Sequence, residues 1–127
     1  MTIGPTIVYH FRPFVQGTDW SRTLTFTTAG VADVLTSYTA RMVVRDKPHQ
    51  GGNIILDIST TPNTNGSSIV ITGASGLVTI NLTDLDTDLL TMDTAYYDLK
   101  LTSPSGSGYL ERVPITGTLS IIRKITP

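Results

Sequence analysis

An all-β sandwich is the fold class this sequence predicts, and three observations carry the expectation. Threonine, valine and isoleucine are abundant, and these side chains suit a pleated, half-buried surface. Turn-forming residues break the chain about every eight to twelve positions, the spacing of short antiparallel strands. Between the breaks, apolar and polar side chains alternate with a period of two, giving each strand one dry and one wet face.

In chain order, Ile7–Phe11 reads as a first strand, ended by Pro13. Trp20–Thr28 alternates most cleanly. Trp20, Arg22, Leu24, Phe26 and Thr28 share one parity, and the hydroxyl residues Ser21, Thr23, Thr25 and Thr27 share the other. Trp20 therefore opens an inward-facing row, which assigns it to the core rather than to a sugar-stacking platform. Tyr38–Asp46 repeats the pattern, with Ala40, Met42 and Val44 inward and Thr39, Arg41, Val43 and Arg45 outward. A "KPHQGGN" turn leads to Ile54–Thr60, where Ile54, Leu56 and Ile58 are the expected buried set. The polar loop "TPNTNGSS" precedes Ile69–Thr72, and "GASG" turns into Leu77–Leu82, with Val78, Ile80 and Leu82 inward.

Thr83–Leu90 is the one helical candidate. Thr83 can cap it, its aspartates suit the first turn of a helix, and Leu85, Leu89 and Leu90 are expected on one face. Ala95–Thr102 follows as a strand with Tyr97, Leu99 and Leu101 in register. A "SPSGSG" turn enters Tyr109–Ile122, where Pro114 and Gly117 predict a bend, a bulge or an edge. The total is about seven or eight antiparallel strands with one short helix near 83–90, an Ig-like β-sandwich without its disulfide; a single barrel is the alternative.

At 127 residues the chain reads as a single domain, 1–127, with residues 1–16 a candidate docking arm. The charged fraction is 15%, against about a quarter in an ordinary globular chain, and the net charge is −1. Such a surface has no means of gripping a polyanion, so no nucleic-acid partner is expected. The absence of cysteine excludes disulfides, thiolate nucleophiles and cysteine-ligated metals, and fits a reducing compartment. The N-terminus lacks a secretion signal, and no apolar run approaches the roughly 18 residues of a membrane span. Met1 and the hydrophobic strand near the end read as a complete small protein.

No motif supports catalysis, a metal or a cofactor. Asp84, Asp86 and Asp88 begin like a calcium loop, but Leu89 stands where glycine is required and Ala95 where a bidentate glutamate is required. They read as helix-start acidity. His10 and His49 form no ligand-spaced pair, and "GASG" is not a nucleophile elbow. The glycine-rich breaks open no helix and read as hairpin turns rather than phosphate loops. Asn65-Gly66 is a strong turn dipeptide. The glycosylation sequons at Asn65 and Asn81 are chance matches in a chain without a secretion signal.

The sharper candidates are interface residues. Arg41, Arg45 and Lys47 project from one strand face and its turn, either paired with surface charges such as Asp57 or bridging to a neighbouring subunit. Tyr9, Phe11 and Phe14 form an aromatic N-terminal segment that seals the core or docks on a partner. Ile121, Ile122 and Ile125 cannot all face one core, so part of that set is expected to meet a partner.

The order of several pieces resembles a family of small tailed-phage virion proteins. These are Gly17-Thr18-Asp19-Trp20 entering Thr23–Phe26, then Gly30, Leu35–Met42 and Arg45-Asp46. Gly76–Leu82 then leads into the acidic helix, Tyr97–Gly106 follows, and Ile115–Ile121 closes the pattern. Over roughly residues 14 to 123 the sequence is similar to the N-terminal domain of siphophage upper baseplate proteins. That resemblance implies an Ig-like sandwich and a tail, baseplate or adaptor component acting by protein–protein assembly. It further implies other virion structural proteins as partners, a homo-oligomer (trimer or hexamer) on the particle, and synthesis in the host cytoplasm. Baseplate proteins continue into a helical linker and further domains, whereas this sequence stops at Pro127, which favours an adaptor, a decorating subunit or a small tail component. The alternative is a carbohydrate-binding or host-adhesion module, which predicts exposed aromatics among Tyr38, Tyr96 and Tyr109.

Overall fold

The computed structural model describes residues 7–28, 30–32, 34–48, 51–102 and 115–123. Its strands are β1 (Ile7–Val8), β2 (Phe11–Val15), β3 (Trp20–Thr25), β4 (Thr27–Thr28), β5 (Val31–Ala32) and β6 (Thr39–Arg45). They continue as β7 (Ile54–Ser59), β8 (Ser68–Thr72), β9 (Leu77–Leu82), β10 (Thr94–Thr102) and β11 (Ile115–Ile122). A single helical turn, α1 (Asp84–Thr87), joins β9 to β10.

The chain is an all-β sandwich. One sheet has six strands, in the order β1-β11-β10-β6-β7 with β2 also on β11, and the other has three, β3-β9-β8. β4 and β5 form a separate ribbon. The inner faces meet in one cluster. Ala40, Met42, Val44, Leu56, Ile58, Leu99 and Leu101 come from the large sheet, and Trp20, Ile69, Val78, Ile80 and Leu82 from the small one. The two-residue period read from β3, β6, β9 and β10 is the period that buries these residues.

Three local expectations are corrected. Pro13 does not end a strand: the N-terminal region forms two short strands, and Pro13 lies inside the second. β2 pairs in parallel with β11 in the register Leu119↔Phe11 and then Ile121↔Phe14, so β2 carries one extra residue between them. A proline has no N–H for a ladder, and a bulge on a strand that pairs on one side is where it costs least. β1 also runs parallel to β11, so the large sheet is not purely antiparallel.

Ile54 is exposed, not buried. Leu56 pairs with Val44, but Ile54 pairs with Arg45, so an extra residue in β7 reverses the facing of everything before it. Ile55 takes the inward place and packs against the core. Lastly, the helix is one turn rather than two, and Leu85 and Leu89 face solvent while Leu90 is buried. A single turn cannot align three leucines on one stripe, and its inward positions are Asp86 and Thr87.

Candidate functional site

Trp20 sits at the centre of an aromatic corner. The Phe11 ring meets it edge-on at 5.1 Å, Phe14 lies at 5.4 Å, and Phe11 also contacts Tyr97 at 5.1 Å. The Arg22 guanidinium, two residues along the same face of β3, covers the indole at 5.2 Å. The N-terminal aromatics therefore seal the core between the two sheets: Phe11 and Phe14 are buried, while Tyr9 is half exposed.

Gly117 makes that sealing geometrically feasible. A Cβ at this position would stand 1.8 Å from the Tyr9 carbonyl oxygen, so only glycine lets the N-terminal segment cross β11 here. Tyr9 N–H donates to Thr116 O at 2.8 Å, and the Tyr97 hydroxyl donates to Tyr9 O at 2.7 Å. One residue on, Thr118 N–H donates to His10 Nδ1 at 3.2 Å, which fixes that nitrogen as an acceptor.

At one end of the sandwich, α1 gathers two loops, residues 16–19 and 63–67. Asp86 is 2% exposed and accepts from Asn63 Nδ2 at 2.9 Å, from Asn65 Nδ2 at 2.7 Å, and from the Ser67 hydroxyl. Burial pushes its carboxyl up, but these three hydrogen bonds outweigh it and hold the group below the usual carboxylate range. The Thr87 hydroxyl donates to Thr18 O at 2.7 Å and accepts from Gly17 N–H at 3.1 Å. Asp84 N–H donates to Asp19 Oδ1 at 2.8 Å, and Gln16 Nε2 donates to Asp88 O at 3.0 Å. Thr83 occupies the N-cap position without a side-chain cap bond. The three aspartates thus diverge, with Asp86 turned inward to amide and hydroxyl donors and Asp84 and Asp88 exposed.

The same end carries an apolar patch. Val15 and Ile122 are register partners, 42% and 53% exposed, and Gln16 N–H donates to Ile122 O at 2.9 Å. Leu89, 50% exposed, directly follows the Asp88 carbonyl that Gln16 holds. Val15, Leu89 and Ile122 are thus three large aliphatic side chains exposed on an otherwise threonine-rich surface.

The outer face of the large sheet carries the charges. Arg41 makes a two-pronged bond to Asp57 at 2.9 and 2.6 Å, with both side chains well exposed. The hydrogen bonds from Arg41 hold the Asp57 carboxyl below its ordinary value. Arg45 Nη1 donates to Gly52 O at 3.1 Å, steadying the β6–β7 turn. A shallow groove of about 250 Å³ lies alongside, lined by His10, Arg45, Lys47, Tyr96, Asp98 and Thr118 among others. Arg45, Tyr96 and Thr118 form one row across β6, β10 and β11.

The structure thus separates the candidate interface residues. Phe11, Phe14 and Ile121 are core; Tyr9, Arg41 and Ile122 are exposed; Arg45 is half-buried in the groove. Ile125, His49, Tyr109 and Pro114 lie outside the described residues. Sequence reasoning missed the Asp86 centre, because its three donors come from a loop about twenty residues earlier in the chain. The "NTNGS" run was the available signal. Among the described residues no group of three or more His, Cys, Asp or Glu is placed to hold a metal, and no helix is long and apolar enough to cross a membrane.

No family model and no curated protein matches the chain. Among solved structures it is similar to the N-terminal domain of phage TP901-1 ORF48, at 12% identity and a TM-score of 0.49. That alignment covers 97% of this chain and 91% of the other.

Proposed function

We propose that this protein is a structural component of a tailed-phage virion, a tail, baseplate or adaptor subunit that works by protein–protein assembly and performs no catalysis. The reading rests on the ordered sequence resemblance across roughly residues 14 to 123 and, above all, on the exposed Val15–Leu89–Ile122 patch. The similar solved domain also belongs to a phage protein. The patch stands on the rim where α1 pins the loops, so its backbone is already ordered and little entropy is lost on docking. Copies of the chain, and other virion proteins, would bury it in a symmetric ring, a trimer or a hexamer. Light scattering over a concentration series, with wild type and Ile122→Lys, tests this: a discrete oligomer that the charge abolishes is the expected result.

A second reading has one observation in its favour. The groove beside Tyr96 combines an aromatic ring with Arg45, Asp98 and Thr118, the kinds of group that orient a sugar. Titration with host cell-wall saccharides, followed by backbone NMR shifts at residues 96 and 118, would reveal binding; unperturbed spectra would remove this reading.

A further inference from the structure

The Asn65-Gly66 pair turns the loop between β7 and β8, and it also carries latent chemistry. Glycine has no side chain to shield its amide nitrogen, so Gly66 N can approach Asn65 Cγ. Attack there forms a Cγ–N bond, gives the amide proton to solvent, and breaks the Cγ–Nδ2 bond with release of ammonia. Water then opens the resulting succinimide at either carbonyl, leaving aspartate or isoaspartate in place of asparagine. Water is the sole co-reactant, and nothing is oxidised or reduced.

In the folded chain each participant is held away from this reaction. Gly66 N–H is committed to Asn63 O at 3.0 Å, in a turn where Gly66 has φ 89°. Asn65 N–H donates to Asn63 Oδ1 at 3.1 Å, and its side-chain Nδ2 donates to Asp86 Oδ1 at 2.7 Å. Asn63 Oδ1 also accepts Ser67 N–H at 2.9 Å, which leaves the Asn63 amide nitrogen to bond Asp86 Oδ2. Ser67 donates to that same carboxylate oxygen and accepts Thr83 N–H at 3.0 Å. The loop is therefore riveted to α1 through one buried carboxylate.

We infer that Asn65-Gly66 is a latent self-modification site, closed while its loop is docked on Asp86 and opened when the loop lifts away. The reaction makes the opening permanent. A carboxylate at position 65 would face that of Asp86, which accepts its hydrogen bonds from the uncharged side chains of Asn63, Asn65 and Ser67, and two like charges at hydrogen-bond distance oppose re-docking.

The test incubates the full chain in mildly alkaline buffer, folded and urea-unfolded, beside the Ser67→Ala and Asp86→Asn variants. Peptide mapping by mass spectrometry reads aspartate and isoaspartate at position 65. Native wild type should convert at least about tenfold more slowly than the unfolded chain, and Ser67→Ala should recover about tenfold of that protection. Ser67→Ala serves even if Asp86→Asn fails to fold, and urea titration of each variant separates loop opening from global unfolding. Native conversion as fast as unfolded, or a Ser67→Ala rate equal to wild type, would overturn the inference. Asn65→Asp tests the permanence: amide exchange at residues 63–67 should quicken about tenfold, and wild-type protection there would contradict it.

Discussion

The Tyr97 hydroxyl reaches from the core to the carbonyl oxygen of Tyr9, 2.7 Å away, at the point where Gly117 lets the N-terminal segment cross the sheet. This contact ties the first residues of the fold to its central strand. Gly117→Ala places a methyl group inside the Tyr9 peptide and should cost about 3 kcal/mol or more, because backbone rather than a flexible side chain must move. Tyr97→Phe removes only the hydrogen bond, at about 1 kcal/mol. Burial pushes the Tyr97 phenol up, so the unfolded chain deprotonates first and stability falls as pH rises above about 10. Urea titrations at neutral and alkaline pH should show Gly117→Ala as the weaker protein throughout, and a shallower alkaline loss in Tyr97→Phe.

Asp86 governs the acid side. Its folded pKa lies below that of the unfolded chain, so its contribution is complete above the unfolded value of about 3.9 and is lost as pH falls through the folded value. Asp86→Ala strands the donors of Asn63, Asn65 and Ser67 and should cost about 3 kcal/mol at neutral pH. The variant should also show a weaker pH dependence of stability below about pH 4. Equal acid limbs in variant and wild type would mean that the carboxylate is not ionised in its network.

Trp20 is a core residue whose indole N–H has no partner among the described residues. Trp20→Phe therefore deletes no hydrogen bond and should cost less than about 2 kcal/mol. Trp20→Ala leaves Phe11 and Phe14 facing a cavity and should cost about 3–5 kcal/mol. Thermal melts of the two variants check the ordering.

The Arg41–Asp57 pair is well made but exposed, and solvent screens it. A double-mutant cycle should return a coupling below about 1 kcal/mol that shrinks further in high salt. A larger coupling would indicate that the pair is buried in an assembly.

The sandwich was legible because strand grammar is local: β3, β6, β9 and β10 announce their inner faces by alternation alone. What escaped was set by pairing between distant strands. Nothing local to Ile54 says that β7 gains a residue opposite Val44 and Arg45, and nothing local to Pro13 says that β2 bulges against β11. Leu85 and Leu89 misled for a related reason. The spacing implied a longer helix, whereas the loop at Asn63–Ser67 supplied Asp86 with donors and made a polar residue the inward anchor. Of the candidate interface, Ile122 could be argued from the apolar run at the C-terminal end, but its companionship with Val15 and Leu89 could not.

The most direct measurement is the solution mass of the wild type and of Ile122→Lys by light scattering across a concentration series, with and without calcium. Assembly through the Val15–Leu89–Ile122 patch predicts a discrete oligomer of wild type that ignores calcium and reverts to monomer in the variant. Identical masses for the two proteins at every concentration would contradict it.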